Sequence, residues 1–228
     1  MIPKLSARLT AAADMCGNGS VADIGTDHAL LPIKLVLDRH ERALASDIRK
    51  GPCERARANV EKYKLSDRIS VFCRPGLDGI EDFAPDNIFI CGMGGEMIAS
   101  ILNASEYPKK SRCRLILQPQ SMQDALRKYL CENGFSIDDE KVIFDAGKFY
   151  QLILAHYDGE KRELTEAEYL LGKLNLERAR GLSVVDVSWL RAVLSNAKKR
   201  IEARKNSRGG TDDSIDDELV MTIENILR

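Results

Sequence analysis

Apolar and polar residues follow two patterns along the chain, and the pattern changes near residue 158. Before that point, short continuous apolar runs alternate with stretches of helical periodicity. Continuous apolar runs are typical of strands buried on both faces, and their alternation with helices is typical of a parallel sheet covered by helices. The predicted strands are residues 21–25, 42–47, 69–73, 87–91, 115–117, 142–144 and 150–154, and the predicted helices are residues 30–39, 51–64, 97–102 and 122–132.

The sequence after residue 157 contains no proline and no cysteine, and its periodicity is helical. An apolar stripe at spacings of three and four residues is formed by Leu190, Val193, Leu194, Ala197 and Ile201. The segment Arg208-Gly209-Gly210 interrupts this pattern, and Asp212 or Asp213 is a candidate N-cap for a last helix. We therefore predict an α/β domain over residues 1–157 and a helical hairpin or short coiled coil over residues 158–228.

Composition and charge narrow the range of functions. The 228 residues include 34 Lys and Arg against 35 Asp and Glu, a net charge of −1, and 44% of them are hydrophobic. These values exclude a disordered chain, a collagen-like chain and a globally basic nucleic-acid coat protein. No apolar run is long enough to span a membrane, and the N-terminal residues lack the continuous apolar core of an export signal, so we expect no membrane association.

The six cysteines lie far apart in the sequence. No pair has the CxxC spacing of a zinc ribbon or a redox motif, so we expect no metal site. Unpaired cysteines without an export signal are typical of proteins in a reducing compartment. We therefore expect a cytoplasmic protein.

The first strand leads into the segment Asp23-Ile24-Gly25-Thr26-Asp27-His28, at the position where nucleotide-like ligands bind in open parallel sheets. Gly25 allows the backbone to approach a ligand closely, but the three glycines of the dinucleotide fingerprint are absent. The carboxylates of Asp23 and Asp27 would repel a pyrophosphate and attract a cation such as S-adenosylmethionine, whose sulfonium and ammonium groups are positive. The alternative interpretation is a tight turn with a helix cap.

Two further carboxylates follow the next two predicted strands. Asp47 ends the second strand, where a carboxylate can accept hydrogen bonds from the ribose hydroxyls of an adenosyl group. The alternative role of Asp47 is a helix N-cap. Asp78, followed by Gly79, comes after the third strand and could hold the adenine amino group, although an ordinary Asp-Gly turn explains the pair equally well.

The fourth and fifth strands end in segments that also point to a ligand. Three glycines lie within Cys91-Gly92-Met93-Gly94-Gly95, and their cost in backbone entropy indicates that something approaches the chain there. Cys91 is interpreted as core packing rather than as a nucleophile, because no His or Asn partner is evident. The amides of Gln118-Pro119-Gln120 could read the edge of a base, or the segment is a loop made rigid by proline.

Two basic clusters contrast with the near-neutral net charge. Residues 109–114 contain four Lys or Arg, and residues 191–208 contain seven against Glu202 alone. A basic face of this kind can follow the phosphates of a nucleic acid. The alternative is a solvated helix face that is partly neutralised by the acidic residues 212–218.

Taken together and in this order, these motifs resemble the bacterial tRNA (adenine-22-N1)-methyltransferase family. The most specific segments are Val21-Ala22-Asp23-Ile24-Gly25-Thr26-Asp27-His28-Ala29-Leu30-Leu31-Pro32, Ile90-Cys91-Gly92-Met93-Gly94-Gly95-Glu96 and Leu117-Gln118-Pro119. An Asp-His pair in the glycine loop is uncommon among methyltransferases in general. The resemblance covers most of the chain, including the helical tail.

The resemblance implies an α/β class I methyltransferase fold, with a Rossmann-like seven-stranded sheet covered by helices on both faces and a C-terminal all-α coiled-coil domain. It implies S-adenosyl-L-methionine as methyl donor and N1 of adenine 22 in the tRNA D-arm as acceptor. The expected cofactor-binding residues are Asp23, Gly25, Thr26, Asp47, Ile48, Asp78, Gly79, Gly92, Met93 and Gly94. The expected tRNA-binding residues are Gln118, Pro119, Gln120, Lys198, Lys199 and Arg200.

The implied reaction makes modest demands on catalytic side chains. Adenine N1 already carries a lone pair, so methyl transfer requires positioning and desolvation rather than a strong base. The product ring gains positive charge, which a carboxylate can stabilise, or relieve by taking a proton from the exocyclic amine. Asp27 is the candidate for this role, and His28 is the candidate residue that orients Asp27 or contacts the substrate.

Two other functions remain possible from the sequence. A methyltransferase of a small molecule or a protein needs no basic face and should work without RNA. A non-catalytic module that binds RNA or a partner through its helical tail would not need a competent cofactor pocket, and the glycine-rich loops argue against it. The apolar stripe of the tail allows either a monomer or a weak homodimer.

Overall fold

The computed structural model describes residues 2–181, 183–205 and 214–228, and its centre is one seven-stranded sheet. The spatial order is β3-β2-β1-β4-β5-β7-β6, in which the first five strands along the chain are parallel and β7 is antiparallel to both β5 and β6. The strands are β1 Val21–Ile24, β2 Ala43–Asp47, β3 Ile69–Cys73, β4 Asn87–Gly94, β5 Arg114–Ser121, β6 Phe135–Asp145 and β7 Lys148–Tyr157. This confirms the predicted α/β class and the seven strands.

Helices cover both faces of the sheet, as predicted. The helices up to β6 are α1 Ala7–Asp14, α2 Leu30–Asp38, α3 Lys50–Lys62, α4 Gly95–Asn103, α5 Tyr107–Ser111 and α6 Gln123–Glu132, and a 3-10 turn spans Ile80–Asp82. The first three helices pack on one face around Phe89, whereas α4 and α6 pack on the other face around Ile88 and Ile90. Neighbouring residues of β4 therefore point to opposite cores, which explains its continuous apolar sequence.

The sheet register brings the ends of the parallel strands to one edge. Ile24 lies opposite Ser46 of β2 and Ile90 of β4, and Cys91 lies opposite Gln118 of β5. The order of strands reverses between β1 and β4, which is the switch point where open α/β sheets bind ligands. We call this side of the molecule the carboxyl edge.

The C-terminal region is helical among the described residues, as predicted. It contains α7 Glu166–Leu171, α8 Lys173–Ala179, α9 Val184–Lys205 and α10 Ser214–Leu227. Its apolar side chains form a third core that includes Trp189 and Ile223 and also Val142 and Phe149 from the hairpin of β6 and β7. The predicted boundary after residue 157 coincides with the end of β7, but this core is shared across it.

The last two helices run in opposite directions and are joined by ion pairs. Lys198 pairs with Glu224 at 2.6 Å, and Arg204 pairs with Asp216 at 2.5 Å. The predicted break at Arg208-Gly209-Gly210 and the predicted caps at Asp212 and Asp213 lie outside the described residues.

A buried group of polar side chains joins the sheet to the helical region, and we call it the joint. Arg127 of α6 is fully buried and donates to Glu140 Oε1 at 2.7 Å and to Gln151 Oε1 at 2.5 Å. Its guanidinium also donates to the carbonyl of Tyr169 at 2.9 Å, at the end of α7. Gly172 turns the chain there with a φ of +89°, and a side chain at this position would collide with the Glu140 carboxylate. The joint therefore holds the start of the helical region directly against the sheet.

None of the helices in the described part of the chain is both long and apolar enough to cross a membrane.

Candidate active site

The carboxyl edge contains a buried carboxylate without a cationic partner. Asp23, in β1, is only 9% exposed, and no Lys, Arg or His of the described residues lies within ion-pair distance of it. Burial raises the pKa of Asp23 to about 6, the Thr26 hydroxyl offsets part of this rise, and the Asp47 carboxylate adds to it. Buried carboxylates are normally paired, so this position favours a positively charged ligand.

The turn after β1 is tight and packs against the turn after β4. Gly25 has a φ of +82°, which L side chains rarely adopt, and a side chain there would collide with the thioether of Met93. The backbone N–H groups of Gly25 and Thr26 both donate to the carbonyl of Ser46, at 2.7 and 2.9 Å. The Thr26 hydroxyl accepts from the N–H of Ala29 at 3.1 Å and so stabilises the start of α2. The structure therefore shows the tight turn with a helix cap, and ligand binding at this motif stays a prediction.

Asp47 lies at the end of the neighbouring strand and is also buried. Its Oδ1 accepts from the N–H of Arg49 at 2.8 Å, and the Arg49 guanidinium lies 3.3 Å from the same oxygen. The predicted helix-cap role of Asp47 is wrong, because the N-cap residue of α3 is Arg49, which makes no side-chain capping hydrogen bond. The contacts of Asp47 with Arg49 use Oδ1 and leave Oδ2 available among the described residues. Ile48, the next residue, is 66% exposed, which is unusual for isoleucine and is suited to an apolar ligand surface.

The turn after β4 faces the turn after β1. Gly92 has a φ of +82°, and the Met93 side chain extends over Gly25. Burial raises the pKa of the Cys91 thiol, and the Asp23 carboxylate raises it further. Cys91 is therefore a protonated packing residue at neutral pH, in agreement with its interpretation from sequence.

Arg8 is a residue of this edge that the sequence analysis missed. It comes from α1, and its guanidinium donates to Gln118 Oε1 at 2.7 Å and lies 5.4 Å from the centre of the Tyr150 ring. The positive charge of Arg8 lowers the pKa of Cys91, whereas the negative charge of Asp23 raises it. Two opposite charges therefore act on the same thiol. Nothing local in the sequence distinguishes Arg8, because its contacts lie more than 100 residues away.

The two glutamines of the predicted base-reading segment lie in different environments. Gln118 is fully buried; its amide oxygen accepts from Arg8, and its amide nitrogen donates to the Pro119 carbonyl at 3.0 Å. Its amide is therefore occupied within the protein. Gln120 is exposed, and its amide nitrogen lies next to Gly92, so Gln120 is the amide of this segment that a substrate can reach.

Asp27 and His28 lie on the exposed part of the turn after β1. Their side chains are 57% and 45% exposed, and His28 Nε2 lies 3.1 Å from Asp27 Oδ2. Asp27 also pairs with Arg55 of α3, and this hydrogen bond, with the nearby charges of His28 and Arg49, lowers the pKa of Asp27. Asp27 is therefore ionised at neutral pH and is a weak base.

Asp78 and Gly79 lie farther along the same edge, after the edge strand β3. Asp78 is exposed, and Gly79 has a φ of +64° beside the Arg74 guanidinium. Both residues line a cavity of about 530 Å³ between this loop and the later turns of α4. The structure does not bring Asp78 into contact with Asp23 or Asp47, so the Asp-Gly turn explains its local geometry.

The predicted tRNA-binding cations on α9 are mostly engaged within the protein. Lys198 pairs with Glu224, and Arg200 pairs with Asp216 at 2.5 Å. Lys199 is exposed and has no ion-pair partner among the residues that the structure describes. The basic cluster is thus partly neutralised by acidic side chains of α10, while Arg208 lies outside the described residues.

No cluster of metal-ligating side chains occurs in residues 2–181, 183–205 and 214–228. The opposed charges of Arg8 and Asp23 beside the glycine turns, with Asp47 nearby, instead suit an organic ligand that carries both charges and hydroxyl groups.

Comparisons with known proteins agree with this geometry. Residues 5–153, which include every strand end of the carboxyl edge, match a family described as Methyltransferase domain. The chain is 39% identical over 165 residues to the tRNA (adenine(22)-N(1))-methyltransferase of Bacillus subtilis (strain 168), an alignment that covers 68% of this chain and 69% of that protein.

Solved structures are similar along the whole chain. The crystal structure of the B. subtilis m1A22 tRNA methyltransferase TrmK has a TM-score of 0.82 and 30% identity, and the match covers 99% of each chain. The structure of M. capricolum TrmK in complex with S-adenosyl-homocysteine has a TM-score of 0.78 and 27% identity, and the match covers 98% of this chain and 96% of that one. The helical region is therefore a shared part of these proteins, and the chain belongs to the tRNA (adenine(22)-N(1))-methyltransferase family.

Proposed function

We propose that this protein transfers a methyl group from S-adenosylmethionine to N1 of adenine 22 in the D-arm of tRNA. The observation that carries the proposal is the buried Asp23 carboxylate, which has no cationic partner among the described residues and lies at the switch point of a methyltransferase-family sheet. A bound sulfonium compound supplies both the missing positive charge and the reactive methyl group.

The residues of the carboxyl edge fit this cofactor. Asp23 and Arg8 would hold the ammonium and carboxylate groups of its methionine part, since their opposite charges both act on the Cys91 thiol. Asp47 would accept hydrogen bonds from the ribose through its available oxygen. The walls of the cofactor site would be formed by Gly25, Thr26, Gly92, Met93 and Gly94. Ile48 would cover the adenosyl group. Asp78 and Gly79 remain predicted adenine contacts, although they lie in a separate cavity.

The chemistry requires no proton transfer before the methyl group moves. The N1 lone pair forms the new bond to carbon while the electron pair of the carbon–sulfur bond stays on sulfur, so the products are S-adenosyl-homocysteine and a cationic 1-methyladenine. Asp27 would stabilise this cation as a fixed negative charge, because its pairing with Arg55 lowers its pKa. His28, 3.1 Å from Asp27, would position that carboxylate.

We infer that the tRNA lies across the carboxyl edge and the helical region. Gln120, next to Gly92, would contact the target base, with Pro119 and the buried Gln118 supporting it. Lys199, together with Lys198 and Arg200, would contact phosphates of the tRNA body. Residues 1–157 would thus carry the chemistry and residues 158–228 the RNA contact. We expect the protein to act in the cytoplasm, where tRNA is modified, as a monomer or a weak homodimer.

The test is methyl transfer from labelled S-adenosylmethionine to an unmodified tRNA transcript, followed by nucleoside analysis. We expect 1-methyladenosine, and we expect it to disappear when adenine 22 alone is replaced by guanine. Transfer to the replaced transcript would place the target elsewhere. Cofactor binding without transfer to any tRNA would favour a small-molecule or protein substrate, and absence of cofactor binding would favour the non-catalytic alternative.

A further inference from the structure

Two large apolar side chains are exposed beside the proposed target-base position. Met97, in the first turn of α4, is 58% exposed, and Met122, between β5 and α6, is 44% exposed. Both belong to segments that follow strands at the carboxyl edge. Neither side chain stabilises the fold by burial, and exposed apolar groups that adjoin a binding site commonly form part of an interaction surface.

The sheet register holds these two segments together. Gly94 and Ser121 lie opposite each other as the last residues of β4 and β5, so Gly95 and Met122 directly follow the ends of two neighbouring strands. A side chain at Gly95 would collide with the Met122 carbonyl oxygen, which shows that the start of α4 packs directly on this peptide. Met97 lies two residues after Gly95, so Met97 and Met122 belong to two segments in direct backbone contact, which we call the rim.

The backbone at Met122 is in an unusual conformation. Its φ of +53° lies in the left-handed region, which glycine or asparagine would occupy at lower cost. Met122 is also the N-cap residue of α6 and forms no side-chain capping hydrogen bond. Its side chain thus improves neither the turn nor the helix, and strained residues of this kind tend to be found at functional sites.

We propose that Met97 and Met122 form an apolar wedge that contacts the nucleobases on either side of the target adenine and stabilises the RNA after that adenine leaves its stack. The inference rests on the proposed function. A base inside folded RNA must be displaced to reach a buried methyl donor, and apolar side chains, methionine among them, stabilise displaced geometries by replacing lost stacking contacts. The flexible, polarizable thioether suits contact with different bases.

The neighbouring residues favour nucleobases as the occupant of this rim. Gln120 and Ser121, which precede Met122, are exposed polar residues, so hydrogen-bonding groups directly adjoin the exposed methionine. A protein partner would require a larger apolar area. The two methionines suit the apolar faces of nucleobases, and the neighbouring polar side chains suit the hydrogen-bonding edges of the bases.

The experiment uses a tRNA transcript with 2-aminopurine at position 22, because the fluorescence of this base rises when it leaves the stack. The full-length protein is titrated in the presence of S-adenosyl-homocysteine, and binding is followed separately through a label at the far end of the tRNA. The test protein is the double variant Met97→Ala and Met122→Ala. The matched control is Met221→Ala, since Met221 is a 62% exposed methionine on α10.

We expect the wild type and the Met221→Ala control to produce the same several-fold rise in fluorescence. We expect the double variant to lose most of that rise while its tRNA affinity and its S-adenosyl-homocysteine affinity change by less than about threefold. A full rise in the double variant, or no rise in the wild type, would overturn the wedge. A large loss of S-adenosyl-homocysteine affinity would assign the methionines to the cofactor pocket and would also overturn it.

Methyl transfer by the wild type to the unlabelled transcript is measured first, so the two proposals can be distinguished. Without that transfer the proposed function itself is wrong. With that transfer, an unchanged fluorescence rise in the double variant contradicts the wedge alone.

Discussion

The joint and the carboxyl edge both bury charged side chains, and they differ in how the charge is compensated. At the joint, the Arg127 guanidinium faces the Glu140 carboxylate and also donates to Gln151 and to backbone carbonyls. At the carboxyl edge, Asp23 is buried to a similar degree but has no cation within reach among the described residues, and burial raises its pKa.

The difference shows which buried charge supports the fold and which supports binding. A buried ion whose hydrogen bonds are complete holds two parts of a protein together, and removing one member leaves the other unpaired. A buried carboxylate without a partner costs stability, and it persists where a ligand provides the missing charge. Substitutions in the joint should therefore change stability, whereas substitutions at the carboxyl edge should change binding.

The largest effect is expected at the joint. Arg127→Met should lower the free energy of unfolding by about 3–5 kcal/mol, because it leaves the Glu140 carboxylate buried and unpaired. The measurement is urea unfolding, with Arg55→Met as the control, since Arg55 makes an exposed ion pair with Asp27 and should contribute at most about 1 kcal/mol. A loss below about 1 kcal/mol for Arg127→Met would contradict the role of the joint.

The second largest effect should be a pH dependence of stability and of cofactor affinity, caused by Asp23 at the carboxyl edge. The pKa of Asp23 is raised to about 6 in the folded protein, so its protonated form is favoured there. Its contribution to stability is present below about pH 4 and is lost as the pH rises through about 6, a change of about 3 kcal/mol. Affinity for S-adenosylmethionine should change in the opposite direction and fall below pH 6, where the carboxylate becomes protonated.

Calorimetric titrations between pH 5 and 8 and unfolding curves between pH 4 and 8 check this prediction. In Asp23→Asn both pH dependences should be much reduced, because the titrating group is gone. If the wild type binds the cofactor equally well at pH 5 and pH 8, the charge of Asp23 does not contribute to binding.

A smaller effect on affinity is expected at the end of β2. Asp47→Ala should weaken S-adenosylmethionine binding by about 10-fold to 100-fold, the range for loss of a hydrogen bond to a charged acceptor. Asp78→Ala should cost a few-fold at most, since Asp78 is exposed. Equilibrium binding of the two variants compares the predicted ribose contact with the predicted adenine contact. The reverse order of losses would move the cofactor toward the cavity beside α4.

The smallest effect is expected on α9. Lys199→Ala should weaken tRNA binding by a few-fold and lower the slope of log affinity against log salt concentration by about one, because one phosphate contact is lost. Lys199→Arg should retain both the affinity and the slope. Measurements of tRNA affinity at several salt concentrations test this prediction. An unchanged slope for Lys199→Ala would show that Lys199 does not contact the RNA.

The sequence predicted the parallel part of the sheet well because its strands are apolar on both faces. The hairpin of β6 and β7 is much longer than predicted, since charged residues such as Asp138 and Lys141 interrupt the apolar pattern on the outer strand. Helix α1 was not predicted, because its short, alanine-rich sequence has little apolar periodicity.

At the candidate site, the sequence located the segments but not how each side chain is used. Asp23 and Asp47 could be placed at one edge of the sheet because strand ends are recognisable from the sequence, and their contact with a ligand stays a prediction. Arg8 and the joint could not be identified, since their contacts connect residues that are distant in the chain and no local pattern marks them. The occupied amide of Gln118 and the ion pairs of Lys198 and Arg200 likewise depend on tertiary structure.

The most direct test of the central claim is calorimetric titration of S-adenosylmethionine into the wild type and into Asp23→Asn at pH 7.5. The claim is that the unpaired Asp23 carboxylate binds the cationic methyl donor. We predict that Asp23→Asn binds the cofactor at least about 100-fold more weakly, as expected for loss of a buried charge contact, while its free energy of unfolding is equal to or above that of the wild type. Equal affinity in the two proteins would contradict the claim.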